Sequence, residues 1–178
     1  QYAAAFGGMN YIRFNSDGTV RVDRMPCERD VLKHIESHSL MVYTDQQRSA
    51  SKILEKQTQG TADKLAVLTE MRDMAGEMKN IVSSGANMQE FGQLLDEGWR
   101  LKRSLGFGIT NNLIDDWYEV AKKAGAIGGK LLGAGGGGFL YFIAPPERHE
   151  RIVAALGNPK TLPVSFDSQG SRVVFISD

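Results

Sequence analysis

The strongest chemical signal in the chain is Gly128-Gly129-Lys130-Leu131-Leu132-Gly133-Ala134-Gly135-Gly136-Gly137-Gly138, followed at once by the apolar run Phe139-Leu140-Tyr141-Phe142-Ile143. Four consecutive glycines sacrifice backbone entropy and contribute no side chain to a core. They suit a main chain that folds tightly, points several N–H groups one way, or lies close against a ligand. With a lysine just upstream and a strand pattern just downstream, the segment reads as a loop built around phosphate. The competing reading is a flexible linker, which a clean strand signal on one flank disfavours. Lys130 itself has two readings, a phosphate partner or a solvated surface lysine.

Little else in the chain offers chemistry. The one cysteine, Cys27, excludes an internal disulfide framework and a cysteine-built zinc site. His34, His38 and His149 fall in no ligand pattern and read as surface or helix-end residues. Lys plus Arg and Asp plus Glu both total 21 over 178 residues, so no net field recruits nucleic acid or an anionic membrane. No apolar run approaches transmembrane length, and the expected compartment is cytoplasmic. The chain opens on Gln1 and passes straight into Tyr2-Ala3-Ala4-Ala5-Phe6. Natural termini are more often polar and frayed, so the expectation is the carboxy-terminal portion of a longer protein.

The elements that must position the glycine loop mix strands and helices. Met9 to Phe14 alternates, Asn15-Ser16-Asp17-Gly18 is a turn, and Thr19 to Val22 alternates again, which predicts a hairpin. A helix follows Pro26 through Ile35, then a buried strand from Leu40 to Thr44. Helices are predicted over Ser49–Gln57, Thr61–Val82, Met88–Ser104 and Asn111–Ala124. The methionine and leucine stripe of the second, including Met71, Met74 and Met78, reads as core packing before partner surface. Beyond the glycine loop, strands are predicted over Phe139–Ala144, Leu162–Phe166 and Arg172–Ile176, with a helix over Glu147–Leu156. The fold class is therefore α+β, a small antiparallel sheet covered by helices.

Gly129 to Phe139 resembles the third signature motif of the GHMP kinases, a superfamily that includes galactokinase, homoserine kinase and mevalonate kinase. Gln1-Tyr2-Ala3-Ala4-Ala5-Phe6-Gly7-Gly8 resembles the segment that follows the catalytic aspartate in the sugar kinases of that family. Tyr43-Thr44, with Arg48-Ser49-Ala50-Ser51 beyond, resembles its strand-to-helix junction. The matches keep their order across nearly the whole chain, and within the superfamily they are most similar to the heptose phosphate kinases of surface polysaccharide (lipopolysaccharide) synthesis.

The resemblance implies a GHMP kinase C-terminal domain over residues 25–178, preceded over 1–24 by a hairpin belonging to the N-terminal domain. It implies ATP and Mg2+ as cofactors of the full-length protein, neither held tightly by this portion. The ATP loop, the metal ligands and a catalytic aspartate just before Gln1 would lie in the missing N-terminal domain, which leaves this portion inactive alone. No catalytic residue is assigned within the chain. Partners would be a sugar or sugar phosphate, the N-terminal domain and, through the face that domain covers, a second copy of the chain. Gly133, Ala134, Gly135, Gly136, Gly137 and Gly138, with Lys130, would support the ATP loop and approach phosphate.

Substrate contacts would come from Tyr2, Gly7, Gly8 and Arg48. Each keeps a bland counterpart: a buried aromatic for Tyr2, a simple bulge for Gly7 and Gly8, and a helix cap or interface ion pair for Arg48. The chain departs from its relatives at Thr44-Asp45-Gln46, where Thr-Gly is usual, and at Phe139, where a small residue is usual. Two other functions stay open: a sugar- and ATP-binding regulator without turnover, and a mevalonate-pathway kinase or decarboxylase on the same scaffold.

Overall fold

The computed structural model describes residues 1–46, 64–106, 108–133 and 135–175. A short helix α1 (Tyr2–Phe6) leads into an antiparallel hairpin of β1 (Asn10–Phe14) and β2 (Val20–Arg24), paired from Asn10 with Arg24 to Phe14 with Val20. Its turn is closed where Asp17 accepts from both the backbone N–H and the hydroxyl of Thr19, while Gly18 takes φ 84°. These bonds to the ionised carboxylate hold Asp17 below its usual pKa.

Next come α2 (Arg29–His38), β3 (Ser39–Tyr43), α3 (Leu65–Ser83), α4 (Met88–Ser104) and α5 (Asn112–Ala124). They are followed by β4 (Gly128–Leu131), β5 (Phe139–Ile143), a 3-10 turn (Pro146–Arg148), α6 (His149–Ala155) and β6 (Thr161–Leu162). The last four strands form one antiparallel sheet in the order β4-β5-β3-β6, separate from the hairpin. Its registers pair Leu131 with Leu140 and Val42 with Leu140, so these side chains share a face. That face packs on α5, α6 and Trp99 in a cluster holding Tyr118, Ile114, Phe142 and Ile152, all buried. Ile143 joins a second cluster with Ile35, Val82 and Phe91. Both faces are thus covered.

Helix boundaries follow local chemistry. The Asn87 side chain accepts from the N–H groups of Gln89 and Glu90 and starts α4, and Asn111 accepts from Ile114 and starts α5. Gly125 at φ 123° ends α5. Close approach of α4 to β4 depends on glycine: a Cβ on Gly128 would meet the Gly92 carbonyl oxygen at 1.8 Å.

Three sequence expectations need correction. Gly128–Leu131 is an edge strand, not loop, because its peptide groups pair with Phe142 and its neighbours. The strand expected over Leu162–Phe166 shrinks to Thr161–Leu162, since Pro163 has no N–H to continue the ladder. The final expected strand is irregular over 172–175, where Val173, Val174 and Phe175 are exposed and no described strand lies alongside. The helix expected over Ser49–Gln57 and the first residues of Thr61–Val82 lie outside the described residues. No helix among the described residues is long and apolar enough to cross a membrane.

Candidate active-site loop

The loop between β4 and β5 is closed by the Leu132 N–H donating to the Phe139 carbonyl at 2.8 Å. Inside it, Gly133, Gly135, Gly136 and Gly138 take φ of 79°, 117°, 74° and 100°. Backbone in that region strains any residue with a Cβ, which is why the sequence spends so many glycines here.

Three segments hold the loop. The first is the end of β3. Thr44 donates to the Gly138 carbonyl through both its N–H and its hydroxyl, each at 2.9 Å, and Gly138 donates back to the Gln46 carbonyl at 3.0 Å. The second is the turn between α4 and α5. Gly136 donates to the Ile109 carbonyl at 2.8 Å, and the Asn111 amide, already capping α5, reaches the Gly136 carbonyl at 3.4 Å. The third is Lys102 on α4, whose ammonium donates to the Gly133 carbonyl at 2.9 Å.

Behind the turn, Asp115 accepts from Arg103 at 3.0 Å and from Thr110 at 2.9 Å, and the Arg103 guanidinium lies over the Trp99 and Tyr118 rings. Tyr118 donates to Asp96 at 2.6 Å; burial, then that bond, pushes its phenol well above the usual range.

The anchoring alternates. The N–H groups of Gly136 and Gly138 are tied down, whereas those of Gly135 and Gly137 donate to no group among the described residues. A glycine loop whose Gly135 and Gly137 donors are unpaired among the described residues can hold an anionic oxygen. Packing also fixes its position. A Cβ on Gly135 would meet Ile109 at 2.8 Å, and one on Gly137 would meet the Gln46 carbonyl oxygen at 2.3 Å.

The other expected site residues divide. Lys130 sits within β4, and its side chain lines a cavity between α3 and α4 together with Lys102. Gly7 and Gly8 have φ of 63° and 67° and bend the chain after α1. Gly8 donates to the Asp167 carbonyl, and a Cβ on Gly7 would lie 2.2 Å from the Gly170 nitrogen, so this bend is packed on the 167–171 turn. Tyr2 is partly exposed and meets Phe14 edge-on at 5.8 Å. No hydrogen bond among the described residues links this second group to the glycine loop. Ala134 and Arg48 lie outside the described residues. His34 and His38 lie in the last two turns of α2, and His149 begins α6, as a surface or helix-end reading requires.

The departures from the usual pattern have physical explanations. Asp45, where the resemblance leads one to expect glycine, takes φ 53°, a left-handed conformation that aspartate tolerates better than most residues. Phe139 stacks on Tyr43 with ring centroids 5.1 Å apart, beside the loop and not across it. Reasoning from sequence missed Lys102, Ile109, Asn111 and Gln46. Three of these act through backbone groups or a cap, and only the Asn at a helix start was a readable signal.

Residues 74–160 match the family model of the GHMP kinase C-terminal domain. Over 158 residues the chain is 29% identical to the D-glycero-alpha-D-manno-heptose 7-phosphate kinase of Campylobacter jejuni, covering 88% of this chain and 46% of that protein. It is 32% identical over 116 residues to the mevalonate kinase of Pyrococcus horikoshii, covering 62% of this chain and 34% of that protein. Among solved structures it is similar to a D-glycero-D-manno-heptose 1-phosphate kinase from Bacteroides thetaiotaomicron, with a TM-score of 0.67 and 28% identity over 96% of this chain and 46% of that one. The chain thus spans under half the length of these proteins.

Proposed function

We propose that the chain is the C-terminal portion of a GHMP kinase, whose family model matches residues 74–160, and that it forms one wall of the active site of an ATP-dependent sugar kinase acting on a heptose phosphate. The observation that carries this reading is the 133–138 loop, anchored at Gly136 and Gly138, with the Gly135 and Gly137 N–H groups unpaired among the described residues. Similarity to two kinases named for heptose phosphates supports the substrate class.

In this reading ATP, when bound, supplies the phosphoryl group, and the loop offers neutral backbone donors to its oxygens or to the sugar phosphate. Charge stabilisation by fixed donors suits phosphoryl transfer, where positioning contributes most of the catalysis. The Thr44 and Ile109 anchors hold those donors in place without reorganisation. Gly7 and Gly8 shape the bend after α1, and Tyr2 and Arg48 are the substrate contacts proposed at the chain start and at the β3 exit. Residues 1–24 are proposed to belong with an N-terminal domain and 25–178 to form the C-terminal one. No cluster of three carboxylate, imidazole or thiol groups that could hold a metal ion occurs among the described residues.

The test is ATP turnover against a panel of heptose phosphates, hexose phosphates and mevalonate. It compares the 178-residue chain with a form extended at its N-terminus to the length of the relatives. The expected result is turnover with a heptose phosphate by the extended form and none by the chain alone. Turnover with mevalonate in place of the sugars would replace the substrate class, a possibility that the Pyrococcus similarity makes specific. ATP binding by the extended form without turnover on any substrate would favour a regulator.

A further inference from the structure

The reading above makes no use of a cavity of about 200 Å³ between α3 and α4. Its walls are apolar, formed by Met71, Met74 and Met78 on α3 and by Leu95 and Trp99 on α4. Into this lining come two cations, Lys102 and Lys130. Neither takes part in any ion pair of the described residues. Among the described residues Lys102 has one hydrogen-bond partner, the Gly133 carbonyl, and Lys130 has none. Burial pushes the pKa of both below the ordinary lysine value, and the nearby Lys130 lowers Lys102 further.

The Trp99 ring, 1% exposed, adds a second anomaly: its indole N–H is buried without an acceptor. Buried donors are nearly always satisfied, and leaving one unpaired is costly. The cavity therefore brings two like charges together with no acceptor from any side chain that lines it. Core packing alone would have placed apolar residues at 102 and 130. Methionine walls, meanwhile, adapt to the shape of an aliphatic guest.

We propose that this cavity is a second binding site, for a small aliphatic acid whose anionic head is held between Lys102 and Lys130 and whose chain lies along the methionines of α3. An apolar cavity of about 150 Å³ admits benzene, so this one takes a chain of roughly eight carbons. The head is a carboxylate or a phosphate, both of which match paired ammonium donors. Lys102 also holds the Gly133 carbonyl, so a bound head competes for that ammonium and occupancy is felt at the start of the glycine loop.

The chain has two tryptophans, Trp99 and Trp117, which makes the test direct. Octyl phosphate, octanoate, octanol and inorganic phosphate are titrated into the 15N-labelled 178-residue chain. The two indole N–H signals are followed by NMR and assigned with Trp117→Phe. Saturable movement of the Trp99 signal, with Trp117 unmoved, is expected for both octyl acids, and the tighter of the two identifies the head group. Octanol and inorganic phosphate should bind at least about tenfold more weakly, since each lacks half of the recognition.

Lys130→Met keeps the aliphatic stem and should reduce octyl phosphate binding by about tenfold or more. Lys102→Met is the second variant, with unchanged amide spectra away from the cavity as the folding check. The proposal is overturned if octanol binds as tightly as the acids, if Trp99 does not respond, or if both lysine variants bind octyl phosphate like the parent.

Discussion

Alanine at Gly137 and alanine at Gly133 probe the same loop by different physics. Gly137 is not in the left-handed region, but its Cβ would lie 2.3 Å from the Gln46 carbonyl oxygen and 2.8 Å from the carbon behind it. Those are backbone atoms, so the loop must retreat roughly 1 Å to reach ordinary contact. Retreat breaks the Gly138 to Gln46 hydrogen bond of 3.0 Å. Overpacking of this kind costs about 1–3 kcal/mol and a lost hydrogen bond about 1 kcal/mol, for a total near 3 kcal/mol. At 2–4 °C per kcal/mol for a chain of this size, Gly137→Ala should lower the Tm by roughly 6–12 °C.

Gly133 is the reverse case. It has φ 79° and open space around its Cβ position, so Gly133→Ala costs only the left-handed strain, about 1 kcal/mol or roughly 2–4 °C. Calorimetry and urea unfolding on the 178-residue chain measure both. Amide exchange adds a local readout: protection at the Gly138 N–H should vanish in Gly137→Ala and persist in Gly133→Ala. A Tm loss for Gly133→Ala equal to or larger than that for Gly137→Ala would refute the assignment of the loop's position to its contact with β3.

Three further outcomes are expected. Thr44→Val, at a residue 2% exposed, removes the hydroxyl donated to the Gly138 carbonyl and should cost about 1 kcal/mol by urea unfolding, whereas Thr44→Ser should not. Asp45→Gly should raise the Tm by a degree or more by relieving φ 53°, and Asp45→Val should lower it by at least as much; no difference between them would mean the left-handed turn is unstrained. Tyr118 ionises above its usual 10.0 in the fold, chiefly through burial, so its stabilising contribution is complete below pH 10 and is lost as pH rises beyond it. Urea midpoints should therefore fall above pH 10, less steeply in Tyr118→Phe.

Much of the fold was legible because its signals are local. Alternation with a turn announced the hairpin, and helix-favouring runs announced α4 and α5 almost to the residue. The glycine run announced a loop because left-handed backbone is written into residue type, and four of its glycines do take positive φ. The reading of 172–176 as a strand failed because alternation records only a residue's willingness to pair. Whether a partner strand lies alongside is a question of tertiary contact.

By itself, then, the sequence determined the α+β class, the order of elements, the glycine loop and the resemblance to the GHMP kinases. Only the tertiary structure decided which loop donors are free. That depends on Gln46 and Ile109, which are distant in sequence and accept from Gly138 and Gly136 through main-chain carbonyls common to every residue. Composition cannot encode such contacts. It equally could not show that Lys102 and Lys130, 28 positions apart on a helix and a strand, meet in one apolar cavity, because only the packing of α4 across β4 brings them together.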